Sequence, residues 1–170
     1  MKVKVTADQL RLDVTLAKPF ASGVYLTPGT FATLEAVLFR PGAEKNPNTH
    51  VVYKAEATRG KAINATTTKT ALVFQAESLT KDRYTTTPVP GSHIRLDNQG
   101  LHVTAPLDAL PHLPPTFEFT AQTAAHDLRG IGTWWNDGCP ATAQAGKYLT
   151  NTPLPRYPQR PGDPGLTPAT

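Results

Sequence analysis

Thr27-Pro-Gly-Thr-Phe-Ala-Thr-Leu-Glu-Ala-Val-Leu-Phe-Arg40 is the stretch on which the choice of fold turns. Thr27 is of a residue type that caps helices, and Pro28 suits a first helical position, where its missing N–H is no loss. Phe31, Leu34 and Leu38 then fall on one face at helical spacing, with Val37 beside them. Arg40-Pro41-Gly42 closes the segment, because a residue preceding proline is pushed out of the α region. These features predict a helix over 27–40. The competing reading is a strand over Thr33–Phe39.

Upstream the pattern is different. Val3 and Val5 alternate with lysines, and Leu10, Leu12, Val14 and Leu16 alternate with Arg11, Asp13 and Thr15. A period of two with one apolar and one wet face predicts one or two strands over 3–16, ended by Lys18-Pro19. Downstream, a polar loop over 43–49 leads to a strand from His50 to Thr58. Arg59-Gly60-Lys61 then turns the chain into a second strand, Ala62 to Ala76, making a long β-hairpin. The Asn64-Ala-Thr-Thr-Thr-Lys-Thr70 half of that strand is polar on both faces, which marks a sheet edge or a long loop.

Residues 77–100 read as irregular up to a brief hairpin, Ile94–Leu96 and Leu101–Val103 around Asp97-Asn-Gln-Gly100. Pro106, Pro111, Pro114 and Pro115 bracket a loop, and Thr116-Phe-Glu-Phe-Thr120 is a strand. Ala124, Leu128, Ile131 and Trp135 recur at helical spacing and predict a second helix over 124–135, weakened by Gly130 and Gly132. The expected class is α+β and β-rich, with one domain over 1–150 and a Pro/Gly-rich extended tail over 151–170. An all-β sandwich or barrel is the alternative.

The 170 residues carry 17 Lys and Arg against 13 Asp and Glu, a net charge of +4, and the pI is near 9.3. A pI above about 9 is a footprint of nucleic-acid binding. A single cysteine, Cys139, excludes a disulfide framework within the chain and any multi-cysteine zinc site. The five histidines are scattered without metal spacing, and no Gly-x-Ser-x-Gly elbow or phosphate-binding glycine loop occurs. No catalytic residue, metal or cofactor is expected. An N-terminus without an apolar core predicts no signal peptide, and no apolar run reaches the ~20 residues that span a bilayer. Cytoplasm, or a virion assembled there, is the expected location.

One constellation is positive. Lys54, Arg59, Lys61, Lys69, Lys81, Arg83 and Arg95 stand against Glu56, Glu77 and Asp82, so the whole charge excess sits between residues 54 and 95. Threonines 66–68 and 85–87 and the aromatics Tyr53 and Tyr84 are interleaved. Cations supply phosphate contacts, hydroxyls fix register and a tyrosine stacks on a splayed base. The plainer use of such lysines is to guard a solvated edge hairpin against sheet-to-sheet aggregation. Trp134-Trp135 fits core or subunit packing, because tryptophan buries so much area. A metal or hydrolase site would have to gather His93, His102 and His126.

The strand Leu10–Leu16 followed by Leu26-Thr-Pro-Gly-Thr-Phe-Ala-Thr-Leu-Glu-Ala-Val-Leu-Phe39 resembles the opening of RAMP-superfamily proteins, the ferredoxin-like subunits of antiviral CRISPR effector complexes. Strand Thr116–Thr120, helix Ala124–Trp135 and loop Gly138–Tyr148 resemble their second half. The resemblance covers 8–150 and is one of pattern rather than motif. It implies a ferredoxin-like core and a non-catalytic ribonucleoprotein subunit that holds the backbone of a guide RNA beside other protein subunits. Where the family carries several glycines among basic residues, only Gly138 and Gly146-Lys147-Tyr148 stand here, a departure from the pattern; the resemblance implies Lys147 in that loop as a further RNA contact. The rival expectation is a structural β-module of a bacteriophage virion or tail, with hairpin and tail contacting neighbouring subunits.

Overall fold

A computed structural model describes residues 2–16, 20, 27–41, 51–80, 83–127, 132–139 and 156–157. The strands are β1 (Lys2–Val5), β2 (Gln9–Thr15), β3 (Thr30–Phe39), β4 (Val51–Gly60), β5 (Lys69–Thr80), β6 (Arg83–Pro88), β7 (His93–Asp97), β8 (Gly100–Pro106), β9 (Phe117–Asp127), β10 (Gly132–Cys139) and β11 (Arg156–Tyr157). They form two antiparallel sheets. The smaller has the order β1-β2-β8-β7, and the larger β10-β9-β3-β4-β5-β6, with β11 pairing β9. Among the described residues the one helical element is a 3-10 turn, Leu107–Ala109.

The segment 27–40 is therefore not a helix but β3, hydrogen-bonded on one side to β4 and on the other to β9. Thr27-Pro28-Gly29-Thr30 is a turn rather than a cap. Thr30 N donates to Thr27 O at 3.1 Å, with Pro28 preset at the second position and Gly29 at a φ of 85° at the third, as in a type II turn. The spacing misleads because Leu34 and Leu38, four apart, share a face in a strand as well as in a helix. Ala32, Leu34, Ala36 and Leu38 enter the main core, while Val37 and Phe39 are buried on the opposite face with Val52 packed against them. A strand buried on both faces is a continuous apolar run, which periodicity cannot separate from a buried helix.

The second expected helix, 124–135, is corrected in the same way. Ala124–Asp127 ends β9, and β10 returns antiparallel to it, with Trp134 opposite Ala125 and Trp135 opposite Ala124. Residues 128–131 lie outside the described residues. With strands in place of both helices, the α+β ferredoxin-like core gives way to the all-β alternative. The sheets face each other as a sandwich, without closing into a barrel among the described residues.

The long hairpin is present as β4–β5, but Gly60 pairs with Lys69, so 61–68 form a loop where a strand from Ala62 was expected. The region 77–100 is not irregular: it holds the end of β5, all of β6 and β7. The upstream strands and the β7–β8 hairpin stand as expected. Leu10, Leu12 and Val14 of β2 and Leu101, Val103 and Ala105 of β8 pack against Leu34, Leu38, Tyr53, Phe74, Phe117 and Phe119 of the larger sheet. That shared apolar core holds the sheets together. It leaves their outward faces and, among the described residues, the edge strand β6 on the far side of the larger sheet from β10.

Candidate functional site

The outward face of the larger sheet carries a polar network set by strand register. Gln122 of β9 lies opposite Glu35 of β3, which lies opposite Glu56 of β4. Gln122 Nε2 donates to Glu35 Oε1. Thr58 Oγ1 donates to Glu56 at 2.9 Å. Glu35, Glu118, Thr120 and Gln122 are all buried on this face. Two carboxylates directly opposite repel, and each is met here by donors from its own neighbours, a hydrogen-bonded row rather than an open acid–base pair.

One position further along, Lys54 Nζ lies 2.8 Å from Glu77 and 3.2 Å from Glu56. Burial disfavours its charge, but the bonds and fields of Glu77 and Glu56 more than offset that and push its pKa up. Glu77 mirrors it: burial raises its pKa, and bonds from Lys54, Gln75 and Tyr84 bring it below the usual carboxylate range. Tyr84 is 56% exposed yet hydrogen-bonded to Glu77, and burial with that carboxylate raises its phenol pKa.

At the far end of the same face the His126 imidazole stacks on Phe31, with centroids 4.4 Å apart and planes 9° from parallel. A His126 ring nitrogen lies 3.0 Å from Thr33 Oγ1. Burial lowers its pKa, opposed by the fields of Glu56 and Glu35. A folded-state value below the unfolded one, about 6.5, means that protonation favours the unfolded chain. The contribution of His126 is therefore full above about pH 6.5 and is lost as pH falls from there through the folded value. Denaturant unfolding should show stability falling as pH drops below about 6.5, and His126→Phe, which keeps the stack, should flatten that slope. An equally steep fall in the variant would refute it.

The smaller sheet has its own outward cluster. His102 Nδ1 lies 2.7 Å from Asp13 and Nε2 lies 3.3 Å from Asp97, while Arg11 bridges Asp13 at 2.9 Å and Arg95 pairs with Asp97. Burial raises the pKa of Asp13, and the bonds from His102 and Arg11 bring it below its usual range. Asp97 is held low first by the backbone amide of Gln99.

The structure does not bring the expected site residues to one surface. Lys54, Lys69, Arg83 and Tyr84 belong to the larger sheet, with Lys69, Arg83 and Tyr84 exposed, but Arg95 lies on the other sheet. Arg59 is half-buried, and its Nε is buried without a hydrogen-bond partner among the described residues. Lys61 fastens a turn, its N–H donating to Thr30 O at 2.9 Å and its carbonyl accepting from Gly29 at 3.0 Å. Tyr53 is in the core at 2% exposure, with its hydroxyl accepting from His112 N at 3.2 Å. Lys81 and Lys147 lie outside the described residues, and Trp134 and Trp135 are placed by strand register alone. His93 and His102 are on the smaller sheet and His126 on the larger, so the three do not converge.

No protein-family model, curated protein or solved structure matches this chain. Its function has to be read from its own residues. Among the described residues no group of three or more His, Cys, Asp or Glu is arranged to hold a metal, and no helix is long and apolar enough to cross a membrane. The buried row Glu118, Thr120 and Gln122 was missed in the sequence. Its signal is period-two polarity, visible once β9 is read through to Asp127.

Proposed function

We propose that the chain is a non-catalytic structural β-module, of the kind built into a bacteriophage virion or tail, which contacts neighbouring subunits. The observation that carries this reading is the internal pairing of the cations. Lys54 is held between Glu56 and Glu77 and Arg95 by Asp97 on the opposite sheet, so the basic stretch is partly neutralised and divided between two surfaces. An RNA-backbone groove needs its cations together and open to phosphates. A sandwich whose charges pair on its own faces, and whose edge strand β6 is exposed along its length, is suited to protein contacts.

The test is fluorescence anisotropy with single-stranded RNA and DNA from about 50 to about 200 mM salt. No salt-dependent binding is expected. Tight binding that falls steeply with salt, and that vanishes when Lys61, Lys69, Lys81 and Arg83 are changed together to glutamate in a still folded protein, would instead establish the guide-RNA-binding subunit.

A further inference from the structure

Among the described residues the larger sheet ends at β6, and every residue of Arg83–Pro88 is exposed. Its inner neighbour is β5, paired without a register shift from Gln75 opposite Pro88 to Thr80 opposite Arg83. Val89 N donates to Phe74 O at 3.0 Å, which fixes the phase of the ladder. Inward-bonding residues alternate along an antiparallel strand, so Thr87, Thr85 and Arg83 turn their backbone groups to β5. Tyr84 and Thr86 turn theirs outward, away from the sheet.

Natural edges are guarded by charge, proline, bulges or covering chain. Here Arg83 and Pro88 stand at the two ends of the strand. Tyr84-Thr-Thr-Thr87 between them has neither charge nor proline, and it consists of residue types that favour strands.

We infer that β6 is a strand-addition edge whose occupant is β6 of a second copy, paired antiparallel about a two-fold axis through Thr85. This inference rests on the assembly reading and names its partner. The register follows from the chemistry. Tyr84 of each copy meets Thr86 of the other, both with outward N–H and C=O groups, so each pair exchanges both backbone bonds. Thr85 faces its own copy. Arg83 faces the other copy's Thr87, which keeps the two guanidinium groups apart. Shifting the axis to Thr86 would set Tyr84 against Pro88, which has no N–H to give. An aromatic beside a threonine on each flank is a favourable cross-strand pair, and the two larger sheets become one continuous sheet.

Sedimentation velocity of the full chain over a range of concentrations tests this, with three variants. Thr86→Pro removes an outward N–H that β5 does not use, in a place where an edge strand tolerates proline. Thr85→Lys leaves the backbone alone and sets two cations opposite each other. Each should weaken a concentration-dependent dimer at least about tenfold while the melting temperature stays near wild type. Thr85→Cys in a Cys139→Ala background should form a disulfide dimer under mild oxidation, because facing residues at such a pair come within disulfide reach.

A wild-type chain that stays monomeric at about 100 µM, where a contact of micromolar strength would be filled, overturns the inference and leaves the assembly reading intact. So does a dimer indifferent to both Thr86→Pro and Thr85→Lys, since a different surface then carries it. Salt-dependent RNA binding would instead remove the assembly reading on which the inference rests.

Discussion

Gly100→Ala is expected to abolish the native sandwich. Gly100 opens β8 at a φ of 142°, a backbone conformation that residues with a Cβ rarely adopt. It lies opposite Thr15 of β2 and also opposite Asp97 of β7. A Cβ added there would run into the carbonyl oxygen and carbon of Val14, which are backbone atoms of the neighbouring strand. No rotamer relieves that clash, so β2 and β8 must separate at the point where Leu101 and Val14 enter the core. The loss should exceed about 4 kcal/mol, the range reserved for severe lesions. That is a large share of the 5–15 kcal/mol that a domain of this kind commonly has.

Gly91→Ala is the control. Gly91 also has positive φ, at 66°, but its added Cβ would meet only the Pro106 ring, nearest atom 3.2 Å, so about 1–2 kcal/mol is expected. Circular dichroism and limited proteolysis separate the two. A Gly100→Ala protein that melts within a few degrees of wild type would show that β2 and β8 do not pair in this register.

The parts of the fold that were legible are those in which local pattern and tertiary use coincide. Leu10, Leu12 and Val14 alternate with polar residues because one face of β2 is wet, and they are 0%, 0% and 4% exposed. The β7–β8 turn was marked by Asp97 and Gly100, and the Asp97 carboxylate does accept from the amides of Gln99 and Gly100. The central strands were illegible for the opposite reason. β3 is covered on both faces, so its alternation is muted and helical spacings arise by coincidence, and in β9 the alternation stops at Ala124-Ala125, both buried. Pro28-Gly29 has a turn meaning and a helix-start meaning, and the choice between them depends on strands far along the chain.

Charge was legible in amount and illegible in use. The excess over 54–95 is real, but whether a cation is free depends on register. Glu77 reaches Lys54 only because β5 folds back on β4, and Asp13 reaches His102 across 89 positions of sequence. Counting residues along the chain treats those carboxylates as distant, whereas the ladder makes them neighbours.

Lys54→Ala is expected to destabilise the protein by about 2–3 kcal/mol, somewhat below the 3–5 kcal/mol of a fully buried pair broken on one side. The Lys54 side chain is 19% exposed and that of Glu77 is 12% exposed, so water screens the ions only in part. Without the ammonium, Glu77 and Glu56 are left with like charge on neighbouring strands. Glu77 keeps its bonds from Gln75 and Tyr84, which is why the loss should not be larger. Lys54→Met combined with Glu77→Gln removes both charges and should recover much of the difference, giving a coupling energy of about 1–2 kcal/mol in a double-mutant cycle.

The pH dependence follows from the two shifts. The Glu77 pKa is lowered in the fold, so its contribution is present above the unfolded value of about 4.3 and is lost as pH falls through the folded one. The Lys54 pKa is raised, so its contribution holds up to the unfolded lysine value of about 10.4 and is lost as pH rises through the folded one. The deficit of Lys54→Ala should therefore be constant near neutrality and shrink in acid, as Glu77 takes up a proton in both proteins. Urea titrations at about pH 7 and at successively lower pH below about 4.3 follow that change. Glutamate at exposed Lys69, by contrast, should shift stability by no more than about 0.5 kcal/mol across that range. If Lys54→Ala proves as silent as Lys69→Glu, the ammonium is not held by its own sheet, and Lys54 becomes available to an anionic partner after all.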